Sequence, residues 1–377
     1  MRILILSSEH FVFEDENHPS GMFQRDLAKS YKALGHEVAV ISFRCDPLRK
    51  NRPPELTVNE WGNIIVARGV NRKVFPERYL PFFIVRKIYE RGYLKLFRRI
   101  ENLFGEPDLI HAHNFEYAGF SSIKLASQTG ANLLITEHSS RFLESGTDVF
   151  NAANRFLSRY PQLKVTAVSK SLNKALSKTL AVKSEVIPNP LDPLFLSETR
   201  ATHVPGRFIS IGSLRPIKNH KLLIVAFCKF RKISKTATLT IIGAGELSKE
   251  LNCLIRENNA SDFIEIIGPT SREKLKKIYN QADALLISSK FETFGVVAIE
   301  AMSCGLPVLS TRNGGVESII TSRKLGRTCR QDVEGFFEML KDYDSGKFDR
   351  QQIKRHVCSM YDPHKISSQY LTFAKKG

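Results

Sequence analysis

Two glutamates, Glu292 and Glu300, stand where an apolar strand gives way to a helix. Ala284-Leu285-Leu286-Ile287 reads as a buried strand, and Ser288-Ser289-Lys290 as the loop after it. Gly295 opens an apolar segment of helical length. Gly305 closes it, Pro307 prevents its continuation, and Pro307–Ser310 reads as the next strand. A helix N-terminus at the carboxyl end of a parallel strand offers free amides and the positive end of a dipole, which suits an anion. The amides around Phe294, Gly295 and Val296 would face a phosphate there. Glu292, at the mouth, can accept hydrogen bonds from sugar hydroxyls. Glu300 lies about two turns further on. It faces the same crevice only if the first turn bends or the ligand runs along the helix. The plainer reading makes Glu292 a dipole partner and Glu300 a solvated helix residue.

A second cationic site precedes this one. Phe208–Ile211 reads as a strand, followed by Gly212-Ser213-Leu214-Arg215-Pro216-Ile217-Lys218-Asn219 and the helix Leu222–Phe230. A glycine-led loop carrying Arg215 and Lys218 between strand and helix can grip a diphosphate, although surface loops of this kind are often basic without a ligand. Gly243-Ala244-Gly245 is either a tight turn or a close approach to a ligand. Gly21, before the first helix, is either a loop glycine or a place where backbone meets a ligand. His111 and His113 are expected on opposite faces of the strand Pro107–Asn114. They have metal-ligand character, but no carboxylate or cysteine partner stands close in sequence, and histidines in such places are more often structural.

These residues need a scaffold of alternating strands and helices. Residues 2–8 read as a strand, leading through the polar loop Glu9–Ser20 to a helix with Phe23, Leu27, Tyr31 and Leu34 on one side. Strands follow at Val38–Phe43, Asn63–Gly69, Leu133–His138 and Val165–Ser169. Several end in polar residues, as a parallel sheet with a crevice along those ends would. Val186–Pro193, with three prolines, fits a domain boundary. The rhythm then restarts, with further strands at Leu239–Gly243 and Phe263–Gly268 and a helix at Lys274–Tyr279.

Composition sets limits. The 377 residues suit two domains of ordinary size. No apolar run approaches the roughly 20 residues that span a bilayer, and the N-terminus reads as a first strand, not a signal peptide. Six scattered cysteines without C-x-x-C spacing fit reduced thiols in a cytoplasmic protein and no zinc site. The formal charge of +18 admits nucleic acid, anionic lipid, a phosphorylated ligand or a generally basic surface. Much of the segment Arg72–Arg99, basic and aromatic, reads equally as an amphipathic helix on an anionic membrane and as an ordinary core-facing helix.

The pattern E-x7-E followed by A-M-x-x-G-x-P-V consists here of Glu292, Phe294, Gly295, Glu300, Ala301, Met302, Gly305, Pro307 and Val308, with Gly314-Gly315-Val316-Glu317 beyond. It resembles the retaining GT-B glycosyltransferases of family 4. Gly212, Leu214 and Lys218 match the family's G-R-L-x-x-x-K, with Ser213 in the arginine position and Arg215 two residues later as its substitute. Ile187-Pro188-Asn189 resembles the interdomain hinge, with Pro190 in place of glycine. Tyr361-Asp362-Pro363 and Ile366–Phe373 resemble the last helix, which crosses back to the first domain. The resemblance spans nearly the whole chain and is strongest from Gly212 to Glu317.

The resemblance implies an α/β, GT-B architecture: two Rossmann-like, doubly wound domains facing each other across a cleft. Residues 1–190 would bind acceptor, with 361–377 packing back on them, and residues 191–360 would bind the donor. The implied reaction moves a hexose or a derivative from a nucleotide-diphosphate sugar, UDP being the common carrier, to a hydroxyl of a glycan or lipid-linked glycan, with retention. Lys218, Arg215 and the amides of Phe294, Gly295 and Val296 would hold the diphosphate. Glu300 would bind the ribose, Glu292 would orient the hexose, and His113 would contact the sugar. Gly21 and Gly245 would lie near the donor. No metal cofactor is expected, and no D-x-D stands in the sequence to hold one. The expected location is the cytoplasm, with contact to the inner membrane face as an added expectation. A sugar-nucleotide epimerase of the same architecture is the alternative. A nucleic-acid binder lacks zinc spacing or an RNA-binding motif, and a dinucleotide-dependent oxidoreductase lacks G-x-G-x-x-G after the first strand.

Overall fold

The computed structural model describes residues 1–8, 21–47, 55–73, 80–144, 154, 156–160, 163–180, 182–197 and 203–375. The chain divides into two compact units: Met1–Pro190 with Pro363–Gly377, and Leu191–Asp362. The expected loop Glu9–Ser20 lies outside the described residues, as do residues 74–79 of the basic segment.

The first unit is built on β1 (Arg2–Ser7), β2 (Glu37–Pro47), β3 (Glu55–Trp61), β4 (Ile64–Lys73), β5 (Leu109–His113), β6 (Asn132–Glu137), β7 (Lys164–Ala167) and β8 (Glu185–Val186), ordered β3-β4-β2-β1-β5-β6-β7-β8. Ile3, Leu4, Ile5 and Leu6 are wholly buried because β1 has a parallel neighbour on each side and covered faces. The helices α1 (Met22–Ala33), α2 (Phe82–Phe104), α3 (Phe120–Thr129) and α4 (Lys170–Thr179) belong to this unit.

Two expectations change here, and a third is sharpened. The strand expected from Asn63 is the second arm of a hairpin, because Glu55–Trp61 pairs antiparallel with it. Gly62 and Asn63 both have positive φ, 53° and 60°, and form the two-residue turn that such twisted arms favour. Much of the basic segment is helical, as expected: Arg72 and Lys73 end β4, and α2 starts at Phe82. Tyr89, Tyr93, Leu96, Phe97 and Ile100 of α2 are buried, while Lys87, Arg91, Lys95, Arg98 and Arg99 are exposed or half-buried, so its main apolar stripe lies in the core. Lastly, His111 and His113 share a face, since residues two apart in a strand point the same way. Their rings stack with centroids 4.3 Å apart.

In the second unit β9 (Arg207–Ile211), β10 (Thr238–Ile242), β11 (Ile264–Ile267), β12 (Ala284–Ile287), β13 (Val308–Thr311) and β14 (Gly326–Cys329) form a parallel sheet ordered β11-β10-β9-β12-β13-β14. Its helices are α5 (His220–Arg231), α6 (Ser248–Glu257), α7 (Arg272–Gln281), α8 (Val296–Ser303), α9 (Val333–Lys341) and α10 (Arg350–Met360). Phe208, Leu239, Ile241 and Leu286 of the strands pack with Leu223 and Phe227 of α5 and Phe336 and Leu340 of α9. The last helix, α11 (Pro363–Lys375), places Ile366, Tyr370 and Leu371 in the first unit's core beside Leu27 and Tyr31. Ser367 and Ser30 hydroxyls bond at 2.7 Å, and the Tyr370 hydroxyl donates to the Ile187 carbonyl at 3.0 Å. Among the described residues no helix is long and apolar enough to cross a membrane.

Candidate active site

The second sheet reverses its strand order between β9 and β12, and ligands of such sheets sit outside the carboxyl ends at that point. Lys218 comes from the loop after β9 and Glu292 from the loop after β12, one from each side of the reversal. Their side chains meet: Lys218 Nζ donates to Glu292 Oε1 at 2.5 Å, and Ser289 Oγ donates to the same oxygen at 2.7 Å. The Lys218 stem runs along Gly212, where a Cβ would meet it at an ordinary contact distance of 3.6 Å.

The main chain fixes both loops. Pro216–Lys218 forms a single 3-10 turn, and Asn219, at φ 51°, turns the chain into α5. Lys290 N donates to Ile217 O, and Ser288 Oγ to Lys218 O, each at 2.8 Å. Gly243-Ala244-Gly245 acts as a brace. Leu214 N donates to Ala244 O at 2.9 Å, and a Cβ on Gly243 or Gly245 would lie 2.0 Å from Gly212 O or 2.5 Å from Leu214 O. Gly245 thus supports the Lys218 loop through backbone contact. Gly315 does the same for the other loop, since a Cβ there would come within 2.7 Å of Glu292 O and Phe294 N. The Asn313 side chain accepts from the Gly315 and Val316 amides at 3.3 and 3.2 Å.

Gly295, at φ 100°, turns the chain into α8, and Glu292 N is taken by Asn313 O at 3.0 Å. Among the described residues the amides of Phe294, Gly295, Val296 and Val297 have no acceptor, as a helix start leaves them. The Phe294 ring itself is buried against Tyr361, so only its backbone is offered to a ligand. Glu300 is not solvated: it is 3% exposed, beside Arg272 and Tyr279. Arg215 is exposed, and among the described residues its side chain makes no hydrogen bond or ion pair.

In the first unit His113 sits at the end of β5, 1% exposed, with Nδ1 2.9 Å from His138 Nε2. Phe23 stacks on His138 with centroids 4.1 Å apart, near the start of the helix that Gly21 opens at φ 74°. His111 is spent on structure, bonding Tyr31 Oη at 3.0 Å and Thr136 Oγ1 at 2.7 Å. His113 Nε2 and His138 Nδ1 are buried with no partner among the described residues. Sequence reasoning misses His138, although its place just after a strand's carboxyl end gives the same signal as His113. Glu137 accepts from the Phe115, His138 and Ser139 amides, yet burial pushes its carboxyl up to about 7. Among the described residues no group of three or more His, Cys, Asp or Glu side chains is arranged so that it could hold a metal ion.

Burial lowers all three imidazoles, His113 to about 3 and His111 and His138 well below their usual value. The unfolded chain therefore binds protons that the fold refuses once pH falls below about 6.5. Stability should drop with acidification by about 1.4 kcal/mol per pH unit for each such imidazole. Glu137 works in the opposite sense, keeping its proton in the fold up to about 7. Thermal midpoints measured from pH 7 to 4 should show a shallower acid slope for His113→Asn than for the native chain. Equal slopes would contradict the neutral cluster.

Two family models decide the identity: "Glycosyl transferases group 1" matches residues 199–354, and "Glycosyltransferase Family 4" matches residues 21–194. The chain belongs to the group 1, family 4 glycosyltransferases. This glycosyltransferase is 25% identical over 334 residues to the glycogen synthase of Mycobacterium tuberculosis, covering 84% of this chain and 80% of that one. Sucrose-phosphate synthase from Thermosynechococcus elongatus shares its fold, with a TM-score of 0.75 at 18% identity over 99% and 98% of the two chains. HepE from Anabaena, solved in complex with UDP and glucose, gives 0.69 at 18% identity over 99% and 98%. The glycosyltransferase therefore has the GT-B type of fold, with two mixed α/β, parallel-sheet domains.

Proposed function

We propose that this glycosyltransferase moves a hexose or a derivative from a nucleotide-diphosphate sugar, UDP-linked, to a hydroxyl of a glycan or lipid-linked glycan, with retention, as in cell-surface polysaccharide synthesis. The observation that carries the reading is the Lys218–Glu292 pair at the strand-order reversal, beside four unsatisfied amides. Departure of the diphosphate builds negative charge at one end of the breaking bond and positive charge on the sugar ring. Lys218 and the amides of Phe294–Val297 answer the first, acting in a partly buried site where their dipoles are already aimed. Glu292 answers the second end by holding sugar hydroxyls. The two side chains satisfy each other across the reversal. The arriving donor then takes the ammonium with its phosphate and the carboxylate with its sugar.

Arg215 is exposed and adds charge at the loop's rim, while Glu300 takes the ribose and Gly21 lets the first helix start close to a ligand. His113, whose Nε2 is buried without a partner among the described residues, is the residue of the first unit assigned to the sugar. This reading needs no divalent ion, because Lys218 and the amides supply the positive charge, and the leaving phosphate serves as base for the incoming hydroxyl. The complex of HepE with UDP and glucose supports a uridine donor. The test is a panel of UDP-, GDP- and ADP-sugars with glycan and lipid-linked acceptors in EDTA. One donor should yield a product with the donor's anomeric configuration. An inverted product, or an epimerised free sugar formed without acceptor, would overturn the proposal.

A further inference from the structure

Glu300 has partners that the donor reading leaves unexplained. Arg272 and Tyr279 lie seven residues apart on α7, hence on one helix face. Both reach the same buried carboxylate. Tyr279 Oη donates to Oε2 at 3.2 Å, and Arg272 Nη2 lies 3.7 Å from Oε1, close enough for charge attraction but too far for a hydrogen bond. Arg272 is 9% exposed and is itself held through Nη1 by Asp192 Oδ2. Asp192 is the second residue of its unit, just past the boundary at Pro190. The neighbouring Leu191 N donates to Tyr361 O at 2.8 Å, and the Tyr361 ring meets Phe294 edge-on at 5.6 Å. Both chain segments that leave this unit are therefore tied to α8, one beside its start and one at its middle.

We propose that Arg272, held in place by Asp192, is a positioning residue that orients the Glu300 carboxylate toward the paired hydroxyls of a nucleotide ribose; this rests on the donor reading given above. A carboxylate offers about four acceptor positions. Tyr279 uses one on Oε2, and the guanidinium beside Oε1 balances the charge. Together they fix the rotation of the carboxylate about its stem, so that both oxygens address a vicinal diol. Without the cation, a buried carboxylate loses its compensation and is free to rotate toward Tyr279. The diol then meets one oxygen where it needs two.

The measurement is calorimetric binding to the full chain of whichever of UDP, GDP or ADP it takes, and of the 2′,3′-dideoxy form of that nucleotide. Arg272→Met should weaken the natural nucleotide about tenfold, the worth of one charge-assisted hydrogen bond, and should change the dideoxy form by less than about twofold. Asp192→Asn should shift affinity in the same direction by less. Arg272→Lys, which keeps the charge, should recover most of the loss. In turnover, KM should rise more than kcat falls. Equal weakening of both ligands would mean general damage to the unit and would overturn the proposal, as would unchanged affinity. Glu300→Gln separates the two layers of argument. If it keeps the native preference for ribose over the dideoxy form, the donor reading of Glu300 fails and the proposal with it. If it loses that preference while Arg272→Met retains it, only the positioning role fails.

Discussion

Replacing Lys218 by alanine is expected to cut the rate of sugar transfer by about 10³-fold, the scale seen when a preorganised charge or donor at a developing anion is removed. The protein should stay folded. The loop that carries Lys218 is held by main-chain bonds, Leu214 to Ala244 and Lys290 to Ile217, which the substitution leaves in place. Glu292 keeps the Ser289 hydroxyl as a partner and is 12% exposed in its side chain, so water can supply part of what the ammonium gave. Glu292→Ala should cost transfer comparably, for the opposite reason: Lys218 remains, but nothing orients the hexose. If the two residues act as one unit, the double variant should be scarcely worse than either single one. Steady-state rates with matched circular dichroism spectra would check this. Full turnover in either single variant would mean that the pair is an ordinary ion pair.

The second large effect is expected at Gly243. Its φ is 157°, and a Cβ there would stand 2.0 Å from the Gly212 carbonyl oxygen, a backbone atom with no rotamer to yield. Gly243→Ala must therefore move one of two loops that carry hydrogen bonds in register with the sheet. Strained backbone and displaced main chain together should cost on the order of 3 kcal/mol. Activity should fall as well, because the displaced loop is the one that sets Lys218. Gly268→Ala is the control, since a Cβ there meets nothing within 4 Å. Thermal unfolding of both variants would show it. Equal midpoints for the two would contradict the bracing role of Gly243.

Much of this site is legible in the order of the residues alone. The stretch from Ala284 to Ser310 reads correctly because its punctuation is strong: a glycine that tolerates positive φ at Gly295, another at Gly305, and a proline that stops the helix. Lys218 and Glu292 both stand out as candidates, each at a strand's carboxyl end. Their contact does not, because 74 residues separate them and only the reversal of strand order brings β9 beside β12. The burial of Glu300 is hidden for a similar reason, since its cation comes from the start of α7. Strand β3 escapes sequence reading although the Gly62-Asn63 pair between two alternating runs is a hairpin signal. The expected start of the following strand at Asn63 falls inside that turn. The shared face of the two histidines needs only the period of a strand. The glycines at 243, 245 and 315 show the limit most clearly. Sequence can say that backbone comes close to something there, and the structure says that the something is another loop's backbone.

The proposed chemistry stands on where the diphosphate lies. A crystal of the protein soaked with the preferred nucleotide sugar would show this directly. The phosphates should lie within hydrogen-bond reach of Lys218 Nζ and the amides of Phe294–Val297, with the Lys218–Glu292 contact opened and Glu292 on the sugar. Phosphates bound elsewhere, with that ion pair intact, would contradict it.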